Sequence, residues 1–133
     1  MTVLIVYGSA SGAARAPALR LARALRGLGV SAQVRPAGRV ARLGHPSVVV
    51  VAVDRAGCDE IRELIDSFEL AGAATALLGL RADEAPLPAG VWPLPATRHG
   101  GEAPKDAGAA LRLASALIAS LRRSRASASR PSV

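Results

Sequence analysis

Two uninterrupted aliphatic runs limit most strongly what this 133-residue chain can fold into. They lie at residues 3–7, with sequence VLIVY, and at residues 48–53, with sequence VVVVAV. Neither run alternates with polar residues, so each predicts a strand that is covered on both faces, as in the centre of a parallel sheet flanked by helices. The two runs therefore predict an α/β domain in which both are inner strands.

The other segments predict helices and outer strands between and after these runs. Apolar residues at spacings of three and four indicate amphipathic helices, whereas strict alternation or an internal proline indicates a strand at the edge of a sheet. In chain order, the predicted elements are a strand at 3–7, a helix at 14–28, a strand at 30–35, a strand at 48–53, a helix at 59–71, a strand at 75–80, a short strand at 91–94 and a helix at 104–123.

This succession predicts a three-layer, doubly wound sheet of five parallel strands. With the aliphatic runs inside and the alternating and proline-bearing strands at the edges, the spatial order of the strands is 2-1-3-4-5. Ligands of such a sheet bind in the crevice beside the first and third strands, at their carboxyl ends. One domain at 1–123 is expected, and the unpatterned Arg, Ser and Ala tail at 124–133 is predicted to be disordered.

Small and aliphatic residues form the predicted inner faces of the helices. Gly29 predicts the end of the first helix, and Gly72 that of the second. The residues predicted to point inward are Ala14, Ala18, Leu21, Leu25 and Leu28 in the first helix, Ile61, Leu64, Ile65 and Phe68 in the second, and Ala107, Ala110, Ala114, Leu117 and Leu121 in the last.

The charge of the chain is basic, with a formal net charge of +7 at pH 7. Almost all of this charge comes from arginine, since Lys105 is the only lysine. A positive balance favours an anionic ligand or an acidic partner. Nucleic acid is disfavoured as a partner, because no aromatic residues alternate with the arginines that would form the binding surface of the protein. Those arginines are Arg15, Arg20, Arg23, Arg26, Arg122, Arg123, Arg125 and Arg130.

Few residues are suited to disulfide, metal or membrane roles. A single cysteine, Cys58, excludes an intramolecular disulfide, and it precedes a predicted helix, where it is either a packing residue or a redox-active thiol. The two histidines, His45 and His99, lie far apart in loop-like sequence. No segment approaches the roughly 20 apolar residues of a membrane-spanning helix, and no signal peptide is evident at the N-terminus. A cytoplasmic location is therefore expected.

The most informative loop is YGSASGAAR at residues 7–15, between the first strand and the first helix. Small and hydroxyl residues there would let backbone amides close around a phosphate, and the start of the helix adds a partial positive charge. The alternative is a tight strand-to-helix turn that binds nothing.

Through this loop the chain resembles the flavodoxin family, especially flavodoxin-domain proteins of the kind seen in menaquinone-dependent protoporphyrinogen oxidase. The resemblance is clearest over residues 2–35. In that family, hydroxyl residues around a glycine wrap the phosphate of FMN, and Ser9, Ser11 and Gly12 match them. Ala14 stands where the family usually has Ser or Thr, which removes one charge-assisted hydrogen bond worth about 1–3 kcal/mol. Pro17 is a second departure and is expected to delay the start of the helix.

The resemblance implies a flavodoxin-like fold, FMN as cofactor, and electron transfer or flavin-dependent oxidoreduction with a redox partner protein. The family holds the flavin ring with loops after the third and fourth strands, often with stacking aromatics, but residues 54–58 and 81–90 contain none. Trp92 is expected to pack at the sheet edge, and the alternative is that a displaced last strand brings it to the site. The alternative is a flavin-free module with a binding or regulatory role. The predicted cofactor-binding residues are Ser9, Ala10, Ser11, Gly12, Ala13, Ala14, Asp54, Arg55, Ala56 and Gly57.

Overall fold

The computed structural model describes residues 2–8, 13–39, 48–68, 77–83, 87, 91–94 and 102–129. Its elements are β1 (Thr2–Tyr7), α1 (Arg15–Gly27), β2 (Ser31–Pro36), a 3-10 turn (Ala37–Arg39), β3 (Val48–Val53), α2 (Cys58–Phe68), β4 (Leu77–Arg81), β5 (Trp92–Pro93) and α3 (Ala107–Ser129).

The five strands form one parallel sheet in the order β2-β1-β3-β4-β5. Both aliphatic runs are inner strands and pair directly with each other, from Val3 opposite Val48 to Tyr7 opposite Ala52. Beyond the two residues of β5, Glu102 bridges to Arg81 and extends the cover of β4 at its carboxyl end. The predicted fold class and strand order are confirmed.

Alternating side chains of the inner strands feed two separate cores. On one face, Val3 and Ile5 pack with residues of α1 and α3. On the other face, Leu4 and Val6 pack with residues of α2. Since successive side chains of a strand point to opposite faces, one aliphatic run can fill both cores only by having no polar positions. The three layers follow from that run.

Helix α1 begins at Arg15 and buries Ala18, Leu21 and Leu25 completely. Pro17 was expected to delay the start, but it lies in the first helical turn, where a proline costs nothing because its missing N–H would have had no partner in the helix. The expectation that Leu28 points inward is also wrong, since it lies beyond the last helical residue and is 42% exposed.

Gly29 ends helix α1 as predicted, with a φ of 83°. Its amide donates to the carbonyl of Arg26 at 3.0 Å, and the amide of Val30 donates to that of Leu25 at 2.9 Å. This pair of bonds is a Schellman motif, which requires the left-handed backbone that glycine adopts without strain.

Gly29→Ala is therefore expected to lower the free energy of unfolding by about 1–2 kcal/mol. A Cβ at this position would meet nothing within 4 Å, so the cost comes from the backbone conformation alone. Urea denaturation measures it, and Gly27→Ala is the matched control because Gly27 also has open space but a helical backbone. Equal stability of the two variants would contradict the assignment of the cost to φ.

Helix α2 is described from Cys58 to Phe68 and buries Ile61, Leu64 and Ile65, as predicted. The Phe68 side chain and Gly72, where the helix is predicted to end, are outside the part of the chain that the structure describes. β4 starts at Leu77, whereas residues 75–76 of the predicted strand are likewise outside them.

Helix α3 differs from its prediction at both ends. Ala107 is exposed rather than inward, because it is the first residue of the helix and burial begins one turn later, at Ala110. Leu113 joins Ala110, Ala114 and Leu117 in the core, while Leu121 is only partly buried. The helix continues to Ser129, so residues 124–129 of the predicted disordered tail are helical. Alanine and arginine favour that outcome by helix propensity, and the domain boundary stays a prediction.

Candidate functional site

The carboxyl ends of β1, β3 and β4 meet at one edge of the sheet because these strands are parallel neighbours. Four of the predicted cofactor-binding residues, Ser9, Ala10, Ser11 and Gly12, lie outside the described residues. The other six are described. Ala13 and Ala14 lead into α1, and residues 54–57 form the turn between β3 and α2. The described parts of both predicted segments thus lie at the same edge.

The residue after β1 touches the turn between β3 and α2 through two glycines, Gly8 and Gly57. A Cβ added to Gly8 would lie 2.8 Å from the Cα of Gly57, and one added to Gly57 would lie 2.9 Å from the Cα of Gly8. The amide of Gly8 also donates to the carbonyl of Ala52 at 3.3 Å. Any side chain at either glycine would force the two loops apart.

The turn at residues 54–57 is organised by the carboxylate of Asp54. This residue is only 1% exposed, and its Oδ1 accepts the backbone N–H of Gly57. The carbonyl of Gly57 in turn accepts the amide of Ile61 at 3.1 Å, which is the first bond of the α2 ladder. The sequence predicted Asp54 as a ligand contact, whereas the structure shows its carboxylate bonded within the turn.

Two hydrogen bonds join the last residue of β3 and this turn to the residues that follow β4. The amide of Arg55 donates to Oδ2 of Asp83 at 3.0 Å, and the amide of Ala82 donates to the carbonyl of Val53 at 2.9 Å. Arg55 and Ala56 are exposed at this edge. They are the predicted ring contacts that are exposed to a ligand, and neither of them is aromatic.

The start of α1 carries the other predicted half of the site. Ala14 is the N-cap and is completely buried, and among the described residues no side chain caps this helix end. The first turn also has no acidic residue, so its partial positive charge is not offset there. Burial against the core explains the small apolar residue where the resemblance implied a hydroxyl.

A cavity of about 660 Å³ opens beside the first two turns of α1. Its walls are Pro17 and Arg20 of α1, residues 81–83 at the end of β4, and residues 102–105 before α3. Nη1 of Arg20 donates to the carbonyl of Pro104 at 3.3 Å and so ties two of the walls together. Sequence reasoning missed this cavity because its walls come from three distant segments, and only the arginines of α1 and the lone Lys105 gave any signal.

Cys58 and Trp92, two further residues considered from the sequence, are both described by the structure. Cys58 is the first residue of α2 and packs, partly buried, against the core beneath that helix, which agrees with a packing role. Trp92 is 72% exposed, so the expectation that it packs is wrong; a two-residue edge strand leaves little surface to cover it. His45 and His99 lie outside the described residues.

The described part of the chain lacks two kinds of feature. No group of three or more His, Cys, Asp and Glu side chains there could hold a metal ion. Within the same residues, no helix is long and apolar enough to cross a membrane.

Comparison with known proteins gives a structural likeness. No family model matches the sequence, and no curated protein matches it. Among solved structures, a flavodoxin from the domain Archaea aligns with a TM-score of 0.50 and 20% identity over 61% of this chain and 63% of that one. A cysteine-to-alanine mutant of flavodoxin from Pseudomonas aeruginosa aligns at 0.49 and 24%, over 61% and 59%. A short-chain flavodoxin associated with a non-canonical PDU bacterial microcompartment aligns at 0.49 and 15%, over 89% and 74%.

The archaeal match, together with the strand order, shows that this chain has a flavodoxin-like fold. The aligned part spans somewhat less than two thirds of that flavodoxin's length. At this level of identity the likeness concerns the arrangement of the backbone and not the ligand.

Proposed function

We propose that this chain binds FMN at the carboxyl edge of its sheet and takes part in electron transfer or flavin-dependent oxidoreduction. One observation carries the proposal. In a flavodoxin-like fold, the β1–α1 connection lies where the winding direction of the sheet reverses, and here it leads into a helix start without a side-chain cap among the described residues. Such a position suits a phosphate group.

The phosphate end of FMN fits what surrounds the start of α1. Ala13 is exposed and Ala14 is a buried alanine, so neither side chain brings bulk or negative charge to the place proposed for the phosphate. The net charge of +7 attracts an anionic cofactor from a distance. In this proposal, the hydroxyls of Ser9 and Ser11 and the backbone of Gly12 complete the contacts with the phosphate.

The place proposed for the flavin ring is less well supported than the place proposed for the phosphate. The turn at 54–57 offers the exposed residues Arg55 and Ala56, and Asp83 fixes its orientation through the amide of Arg55. FMN supplies the exchange of one or two electrons when it is bound. The chain's residues would bind and orient it. A basic surface favours an acidic redox partner protein in the cytoplasm rather than nucleic acid or a membrane.

A second candidate is a flavin-free module that binds a partner or regulates one. Four observations favour it. Ala14 replaces a hydroxyl, the amide of Arg55 is already bonded to Asp83, and the contact between Gly8 and Gly57 brings the β1 and β3 loops together. No aromatic residue is available in the loops at 54–58 and 81–90 to stack on a ring.

Titration with FMN distinguishes the two candidates. The wild-type protein is expected to quench FMN fluorescence and to turn yellow on reconstitution. Ala13→Glu is expected to weaken FMN binding at least tenfold, or by about 1.4 kcal/mol, because it places a carboxylate beside the phosphate. Ala13 is exposed, so the substitution leaves the core unchanged.

Ala13→Gln is the matched control, since it adds nearly the same bulk without the charge. It is expected to bind FMN within about threefold of wild type, which corresponds to less than about 1 kcal/mol. A colourless protein that leaves added FMN fluorescence unchanged would overturn the flavin proposal and favour the flavin-free module. Equal binding by both variants would move the phosphate away from α1.

A further inference from the structure

We propose that the cavity between α1, the end of β4 and residues 102–105, called here the Arg20 cavity, is a separate binding site for a small organic anion. It would hold the anion's phosphate or carboxylate group. Among the described residues that line it, none belongs to the turn at 54–57 or to Ala13 and Ala14. The inference does not depend on whether the chain binds FMN.

The size of the Arg20 cavity suits a metabolite. Its volume of about 660 Å³ lies within the range of roughly 300–1,000 Å³ that is typical of small-molecule sites. Its position also fits, because ligands of open α/β sheets bind beyond the carboxyl ends of the strands, and β4 ends here.

The charges that line the cavity favour an anion. The described lining residues include three cations, Arg20, Arg81 and Lys105, and two carboxylates, Asp83 and Glu102, so among these residues positive charge exceeds negative charge by one. Arg20 is partly buried, and its bond to the carbonyl of Pro104 uses Nη1, one of the nitrogens of a guanidinium that carries five N–H donors. A guanidinium held in place in this way is well suited to a planar or tetrahedral oxyanion.

The two carboxylates narrow the class of ligand. Asp83 already accepts the amide of Arg55, and the backbone of Glu102 is held beside that of Arg81 by a β-bridge. Each of them lies on the cavity wall and has acceptor oxygens suited to hydroxyl or amino groups. The site therefore fits a small anion that also carries hydrogen-bond donors, such as a sugar phosphate or a hydroxy acid, better than a bare inorganic ion.

Calorimetric titration of the full chain with ribose 5-phosphate, citrate and inorganic phosphate tests the proposal. At least one of the two organic probes is expected to bind more tightly than inorganic phosphate, and the tighter one identifies a phosphate or a carboxylate site. Arg20→Gln and Lys105→Gln are each expected to weaken that binding about tenfold. Lys105 is exposed, so its variant keeps the fold even if Arg20→Gln does not.

Arg122→Gln is the charge-matched control, because Arg122 is exposed on α3 and does not line the cavity. Its affinity for the probe should stay within about twofold of wild type. Equal weakening by Arg122→Gln and Lys105→Gln would show a general charge effect and overturn the proposal. So would the absence of binding by all three probes at millimolar concentration. Ala13→Glu, the variant that tests the FMN phosphate, is expected to leave probe binding within about twofold of wild type, so a probe held at the start of α1 instead of in the Arg20 cavity is recognised by its loss in that variant.

Discussion

Gly8→Ala is expected to lower the free energy of unfolding by about 1–3 kcal/mol, the usual cost of overpacking. The added Cβ would lie 2.8 Å from the Cα and 3.0 Å from the carbonyl oxygen of Gly57. Both of these are backbone atoms in the turn between β3 and α2, so they cannot rotate away as the tip of a side chain can. The β3 turn must move instead, and it is the turn to which the flavin ring is assigned.

Urea denaturation checks this loss, and Gly108→Ala is its control. A Cβ at Gly108 would have its nearest neighbour at 3.4 Å, in the side chain of Asp106, and the position is helical and exposed. Alanine there is expected to raise stability by roughly 0.5–1 kcal/mol through helix propensity. If Gly8→Ala were as stable as wild type, the close approach of the two loops would not exist.

The core of the sheet could be predicted because it depends on local pattern. The runs at 3–7 and 48–53 are aliphatic at every position apart from the final Tyr7, and only a strand covered on both faces explains such a run. Gly29 was likewise predictable, since a glycine just after an amphipathic stripe is the ordinary end of a helix. These features depend on neighbours in sequence.

The periphery was harder to predict because few contacts determine it. Leu28 and Ala107 continue the apolar spacing of their helices but lie at or beyond the helix ends, where there is no core to face. Trp92 sits on a strand of two residues and has little to pack against. Periodicity indicates the direction in which a side chain points, but it does not indicate whether another element is present for that side chain to pack against.

The candidate site could be predicted only in part, for a different reason. The sequence placed residues 54–57 at the correct edge, because parallel strands end together. It did not show that Gly57 touches Gly8, which is distant in the chain, or that the amide of Arg55 is bonded to Asp83. The Arg20 cavity combines three segments in the same way. Contacts between distant loops follow from the fold and not from a local motif.

Asp54→Ala is expected to destabilise the protein by about 1.5–3 kcal/mol, the range for losing a hydrogen bond to a charged group. Asp54 is 1% exposed and accepts the amide of Gly57, which is buried at the start of α2. Alanine leaves that N–H without its acceptor in a place that water does not reach. The turn should loosen, and FMN binding should weaken with it if the ring lies there.

Asp54→Asn separates the hydrogen bond from the charge. Its amide oxygen can still accept the N–H of Gly57, so it should cost clearly less stability than Asp54→Ala in the same urea experiment. Asp59→Ala is the second control, because this exposed residue of the first α2 turn interacts mainly with the helix dipole, worth about 0.3–1 kcal/mol. Equal losses for Asp54→Ala and Asp59→Ala would mean that the buried carboxylate does not hold the turn. The turn at 54–57 would then not be a preformed wall of the site.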